Sequence, residues 1–241
     1  MISVYDTPDK ASYALAEYFV ETATIAVKDR GQFSVVLTGG SSPKEVYRLL
    51  AQAPFCTKVP WDKTFVFWGD ERCVPTDDSQ NNARMTSLAL LDHVPIQPRH
   101  IYRMNGTVDA SIAASEYESQ LKTFFNGKTP SFDLVLLGMG ENAHTASLFP
   151  HTSVLKEQKA WVKGLFIEEV GMSRITLTAP LINQAKKIAF LLFGTSKAHT
   201  LNEVLQGDYD IENKPVQLIN PTNGTVRWFL DKAAASELKS P

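Results

Sequence analysis

Cysteine is scarce in these 241 residues, with only Cys56 and Cys73 present, so a disulfide framework is excluded. No CxxC pair, no HExxH and no Cys/His cluster supplies metal-ligand spacing, and no metal or other cofactor is expected. Charge of one sign is also missing. Lys and Arg number 24 against 26 Asp and Glu, a formal net charge of −2, so nothing marks a nucleic-acid binder. The longest unbroken apolar run, Ile188 to Phe193, is far too short to span a bilayer, and no membrane partner is expected. The opening MISVYDTPDK lacks a basic segment followed by an apolar one, so no secretory signal is read there. The expectation is a reducing, cytoplasmic setting. No Ser/Gly linker or low-complexity stretch divides the chain, so residues 1–241 are expected to form one domain, with ample length for a core.

What is present is a recurring pattern. A short apolar run ends in glycine, and small polar residues then lead into a helical period: FSVVLTGGSSPKEVYRLL (33–50), FDLVLLGMGENAHTASLF (132–149) and IAFLLFGTSKAHTLNEVL (188–205). TFVFWGDER (64–72) is a fourth run that ends in the same way. Runs this continuously apolar predict buried parallel strands. Helices are predicted at Ala11–Lys28, Asn82–Leu91 and Ala110–Phe125, and further strands near Ile175–Thr178, Pro215–Ile219 and Thr225–Leu230. The alternation predicts an open α/β, mostly parallel sheet with right-handed crossovers and helices on both faces. Ligands of such sheets sit beyond the carboxyl ends of the strands, where all four glycine-ended loops should gather.

Of those loops, Gly39-Gly40-Ser41 before a helix offers backbone N–H groups where the helix dipole is positive, as a phosphate requires; a plain tight turn is the alternative. Ser42-Pro43-Lys44-Glu45 has the spacing of a capping box, which predicts a side-chain-capped helix start. The GxxxxGK[ST] spacing of a nucleotide-phosphate loop is absent. Gly138-Met139-Gly140-Glu141-Asn142-Ala143 formally fits a dinucleotide fingerprint, but Pro150 soon stops any crossover helix. His144, in that loop, is the strongest candidate for a general base, against a histidine merely bonded to backbone. No GxSxG elbow is present, so a hydrolase built on these residues would activate water. Asp70, Glu71 and Arg72 place two carboxylates and a guanidinium at a strand end, either a functional cluster or a solvated turn. Arg174 and Lys197 are candidate anion ligands, although either alone is more often a surface charge. Together these residues point to a small phosphorylated substrate.

Taken in order, the segments resemble the 6-phosphogluconolactonase family nearly end to end. LTGGSSP resembles its LSGGSTP, WGDERCVPTDD its GDERxVPxxD, GMGENAHTASLFP its GxGxDGHTASLFP, and SRITLTAPLINQAKKIAFLLFGTSKA its R-x-T-L-T…G-x-x-K-A stretch. RWFLDKAAASEL resembles the family's C-terminal end. Glucosamine-6-phosphate deaminases share the glycine loops but read DEY and GHIAFNEP, so Arg72 and Ser147-Leu148-Phe149-Pro150 favour the lactonase side. The resemblance implies a doubly wound, Rossmann-like fold without a nucleotide, acting as a monomer on a phosphorylated sugar lactone. It implies His144 as general base, Arg72 at the reacting end, with Asp70, Glu71 and Asn142 beside them, and Gly39, Gly40, Ser41, Arg174 and Lys197 on the 6-phosphate. An amino-sugar-phosphate deaminase or isomerase using Asp70 or Glu71 as base, or a non-catalytic sugar-phosphate binder, are the other expectations. Two departures stand out. The family's Asp-Gly is Asn142-Ala143 here and its Ser-Asn is Asn81-Asn82. An aspartate would orient the histidine and raise its basicity, whereas an asparagine can only orient it. The chain is then expected to be a weakened enzyme, or one whose histidine is held by Glu141 or a backbone carbonyl.

Overall fold

The computed structural model describes residues 1–239. Its main sheet has six strands, all parallel: β1 (Ile2–Tyr5), β2 (Phe33–Leu37), β3 (Thr64–Trp68), β5 (Leu134–Leu137), β8 (Lys187–Leu192) and β9 (Thr225–Asp231), in the order β1-β9-β8-β5-β2-β3. A second, antiparallel sheet holds β4 (Asp70–Arg72), β6 (Val162–Ile167) and β7 (Met172–Leu177), in the order β4-β7-β6. The helices are α1 (Pro8–Arg30), α2 (Ser41–Leu50), α3 (Asn82–Ala89), α4 (Ala110–Phe125), the single turn α5 (Ala179–Ile182) and α6 (Ala198–Gln206).

Alternation along the buried strands splits the interior into two cores. Phe33, Val35 and Leu37 of β2 face α1, α2 and α3, whereas Val36 faces the layer of α4 and α6. The same split runs through β5, where Leu134 and Leu136 join the first core and Val135 and Leu137 the second. A period of two on a sheet covered on both faces makes each strand apolar at every position, which is why these runs are legible. Helix α1 buries Leu15, Ala16, Phe19, Ala23 and Ala26 at helical spacing; Thr7 caps its start and Gly31, at φ 75°, its end. At the amino end of the sheet Asp133 is fully engaged. Its oxygens accept from Arg30 (2.6 Å), Lys186 (2.7 Å) and the backbone and hydroxyl of Ser34.

Several expectations need correction. Pro215–Leu218 is a 3₁₀ turn, not a strand: proline suits the first position of a turn, and the Val216 N–H bonds the Ala143 carbonyl rather than a neighbouring strand. Residues 70–72 form a strand rather than a loop, and β7, which holds most of the strand expected at Ile175–Thr178, pairs with it through residues 174–176 outside the main sheet. The first strand and β6 carry no glycine stop and were not anticipated by the pattern. The capping box does not form. Helix α2 starts two residues earlier, at Ser41, with Gly40 (φ 111°) as a cap that supplies no side chain, and Glu45 pairs with Arg48 instead. Among the described residues no helix is long and apolar enough to cross a membrane.

Candidate active site

The strand order reverses between β2 and β5, and the loops following β2, β3, β5 and β8 meet at that switch point, as open α/β sheets dictate. They enclose a cleft of about 320 Å³ lined by Gly39, Gly40, Ser41, Asp70, Arg72, His144, Arg174 and Lys197. Eight sequence candidates therefore converge.

Glu71 does not. Side chains alternate along a strand, so Asp70 and Arg72 face the cleft while Glu71 points the other way. Its carboxylate is fully buried and accepts from the N–H groups of Arg72 (2.8 Å), Asn82 (2.7 Å) and Ala83 (2.9 Å), capping the start of α3. Burial pushes this carboxyl up to about 7 against those three donors. Asn81 completes the same helix start, its side chain accepting from the Arg84 N–H at 2.8 Å, as a serine would.

The antiparallel sheet sets the cationic wall. Arg72 and Arg174 are register partners across β4 and β7, and like charges opposite one another repel. Arg174 is only 8% exposed, yet among the described residues its side chain forms no hydrogen bond or ion pair, and burial lowers its pKa. Arg72 donates to the Gln80 carbonyl but leaves its Nε unpartnered. Lys197 forms no ion pair among the described residues either, and the uncapped N-terminus of α2 lies alongside. Asp70, bonded by the Ser147 hydroxyl at 2.7 Å, is the carboxylate within this group. The corner is short of negative charge. A dianionic group entering it would satisfy donors that the protein itself leaves free.

Two glycines fit the cleft by lacking a side chain. A Cβ on Gly39 would lie 1.8 Å from Asn82 Oδ1, and one on Gly140 would lie 2.2 Å from His144 Cε1 and Nδ1. Asn82, which donates to the Asp70 carbonyl, was noted in the sequence only as part of a motif, and the structure places it in the cleft wall.

His144 stacks on Phe149, with ring centroids 3.9 Å apart and planes 10° from parallel. Its Nδ1 lies 2.5 Å from Asn142 Oδ1. Burial depresses its pKa to about 4, with Asp70 and Glu169 pulling it up and Arg174 and Lys197 pushing it down. The imidazole is therefore neutral at pH 7 and able to accept a proton. Asn142 does orient the histidine, but Glu141 does not: it is exposed, and its carbonyl accepts from Thr200. The residue behind Asn142 is Glu169, 27 positions along the chain, which no local pattern could flag. Among the described residues no three His, Cys, Asp or Glu side chains gather as a metal site requires.

The reversed strand order and the glycine-walled cleft at the carboxyl edge define a doubly wound α/β protein whose cleft is lined by basic side chains. The chain belongs to the family described as glucosamine-6-phosphate isomerases/6-phosphogluconolactonase, whose model matches residues 6–228. It is 41% identical over 220 residues to a 6-phosphogluconolactonase of Synechocystis, covering 90% of this chain and 89% of that protein. The structure of the Trypanosoma brucei 6-phosphogluconolactonase overlays with a TM-score of 0.86 at 28% identity, covering 99% of this chain and 98% of the other. A monomeric glucosamine-6-phosphate deaminase overlays with a TM-score of 0.83 at 21% identity, covering 98% of this chain and 99% of the other, which speaks for the fold alone.

Proposed function

We propose that this chain hydrolyses 6-phosphoglucono-1,5-lactone to 6-phosphogluconate, with residues 1–241 acting as one catalytic unit, monomeric and cytoplasmic. The observation that carries the reading is the neutral His144 bordering a cleft where, among the described residues, neither Arg72 nor Arg174 forms an ion pair and the Nε of each is unpartnered. Family membership and the relatives' activity support it. The phosphate sits against Arg174, Lys197 and the N–H groups of Gly40 and Ser41, and this anchors the sugar so that its lactone carbonyl meets His144.

His144 Nε2 takes a proton from water as the water oxygen bonds to the lactone carbon. Charge builds on the former carbonyl oxygen, where Arg72 offsets it. The ring C–O bond then breaks, the leaving ring oxygen takes the proton back from the imidazolium, and the new carboxylic acid ionises. Water is consumed and no redox partner is needed. Asp70 holds Ser147 and moderates the cationic wall.

The test is lactone hydrolysis by the purified protein, with the δ-lactone generated in situ and the spontaneous rate subtracted. Catalysis that falls about 10³-fold in His144→Gln, with KM little changed, is the expected result. Ammonia release from glucosamine 6-phosphate, without lactone turnover, would overturn it in favour of a deaminase. Sugar-phosphate binding without any turnover would leave a binding protein.

A further inference from the structure

The hydrogen bonds around Asn142 fix more than its own position. Asn142 Oδ1 accepts from the backbone N–H of His144 at 3.2 Å, and a backbone N–H can only donate. Asn142 Nδ2 lies 2.7 and 2.9 Å from the two carboxylate oxygens of Glu169, which can only accept. The amide is therefore held from both sides with its oxygen toward the histidine. Since Oδ1 has no hydrogen to give, the contact to His144 Nδ1 requires the proton to be on Nδ1. Nε2 is then the bare nitrogen. Among the described residues it has no partner, and the imidazole borders the cleft.

Glu169 reaches this position from outside the catalytic loop. It lies in the 3₁₀ turn Glu168–Val170 at the tip of the β6–β7 hairpin, just before Gly171 in the left-handed region at φ 58°. Its neighbour Val170 lines the cleft while Glu169 itself faces Asn142 and is exposed to solvent. A loop residue two places before the base is thus clamped by a different supersecondary unit. Without that clamp the amide loses the partner that holds its Nδ2 side, and the imidazole loses the fixed acceptor that favours one tautomer over the other.

We propose that Glu169 is a positioning residue for the catalytic base: acting through Asn142, it holds His144 in the Nδ1–H tautomer and keeps Nε2 free for water. This rests on the lactonase reading for its kinetic consequence, but the tautomer is a property of the folded protein. Nothing is transferred along the relay; Glu169 keeps its charge and Asn142 its protons throughout.

Four variants and one spectrum test it. Glu169→Ala should lower kcat about tenfold with KM nearly unchanged, and Glu169→Gln, whose amide oxygen still accepts from Asn142 Nδ2, should recover most of the rate. In Asn142→Asp a carboxylate accepts Nδ1–H directly and faces Glu169 as a like charge. Adding Glu169→Ala to that variant should leave kcat unchanged or raise it, a reversal of sign that a mere hairpin prop would not give. Nitrogen-15 spectra of His144 should show Nδ1 protonated and Nε2 bare in the unmodified protein, and a mixture of tautomers in Glu169→Ala. Protonated Nε2 in the unmodified protein would overturn the proposal whether or not the lactone is turned over. So would an equal loss from Glu169→Ala in both backgrounds. Absence of lactonase activity with Nδ1 protonated would instead sink the functional reading and leave the relay standing.

Discussion

The two ends of the parallel sheet handle buried charge in opposite ways. At the amino end Asp133, with a side chain only 5% exposed, is matched by Arg30, Lys186 and Ser34. At the carboxyl end Arg174, about as buried, faces Arg72 across the strand pair and has no side-chain hydrogen bond or ion pair of its own among the described residues. The same fold that satisfies charge in one place leaves it unsatisfied in another. Buried polar groups are normally paired, so the unpaired end is the one whose donors an entering anion would satisfy.

Substitution at both ends puts that contrast to its hardest test. Arg174→Met should raise KM about 100-fold, the loss of charge-assisted hydrogen bonds to a phosphate, while raising Tm of the free protein by a few degrees. Asp133→Ala should leave KM alone and cost about 2–3 kcal/mol, discounted because Arg30 and Lys186 reach solvent, or roughly 5–10 °C in Tm. Steady-state kinetics beside calorimetry on both variants decides it; equal losses of stability would erase the distinction between the two ends.

A pH profile sharpens the same contrast. His144 is held near 4 by burial among Asp70, Glu169, Arg174 and Lys197, below an ordinary histidine at ~6.5. The imidazole must be neutral to work, so kcat/KM should stay flat from pH 7.5 down to about 5 and fall tenfold per unit once pH drops below about 4. The unfolded chain takes up this proton at higher pH than the folded one, so the same group also erodes stability as pH falls from about 6.5 toward 4. An acid limb centred at 6.5 would show that burial does not hold the base. The smallest effect is expected at the cap of α3. Asn81→Ser should change stability by less than about 0.5 kcal/mol and Asn81→Ala by about 1 kcal/mol, read from urea unfolding.

Legibility in the sequence followed the physics of each element. The buried parallel strands and their glycine loops were readable because burial on both faces writes a continuous apolar run, and α4 matched its predicted bounds of Ala110–Phe125. The capping box was misread because residue spacing says nothing about whether Glu45 turns back to the helix start or toward Arg48. Glu71 looked like part of a catalytic cluster because one-dimensional adjacency hides the alternation that turns it toward α3. Pro215–Ile219 looked like a strand from its apolar residues, yet that segment props the His144 loop through Val216. Glu169 was invisible for a further reason. Its contact with Asn142 exists only once the β6–β7 hairpin has folded over a loop 27 residues away.

Ala143, Ala146 and His151 all adopt left-handed backbone, at φ 60°, 47° and 60°, within the loop that carries His144. None is glycine, and each such position costs on the order of 1 kcal/mol. The loop stays in that shape because Val216 bonds the Ala143 carbonyl, His151 bonds the Glu212 carbonyl and Thr145 bonds the Gly138 carbonyl. The entropy of placing His144 is thereby met when the chain folds, so it does not recur each time the cleft is filled.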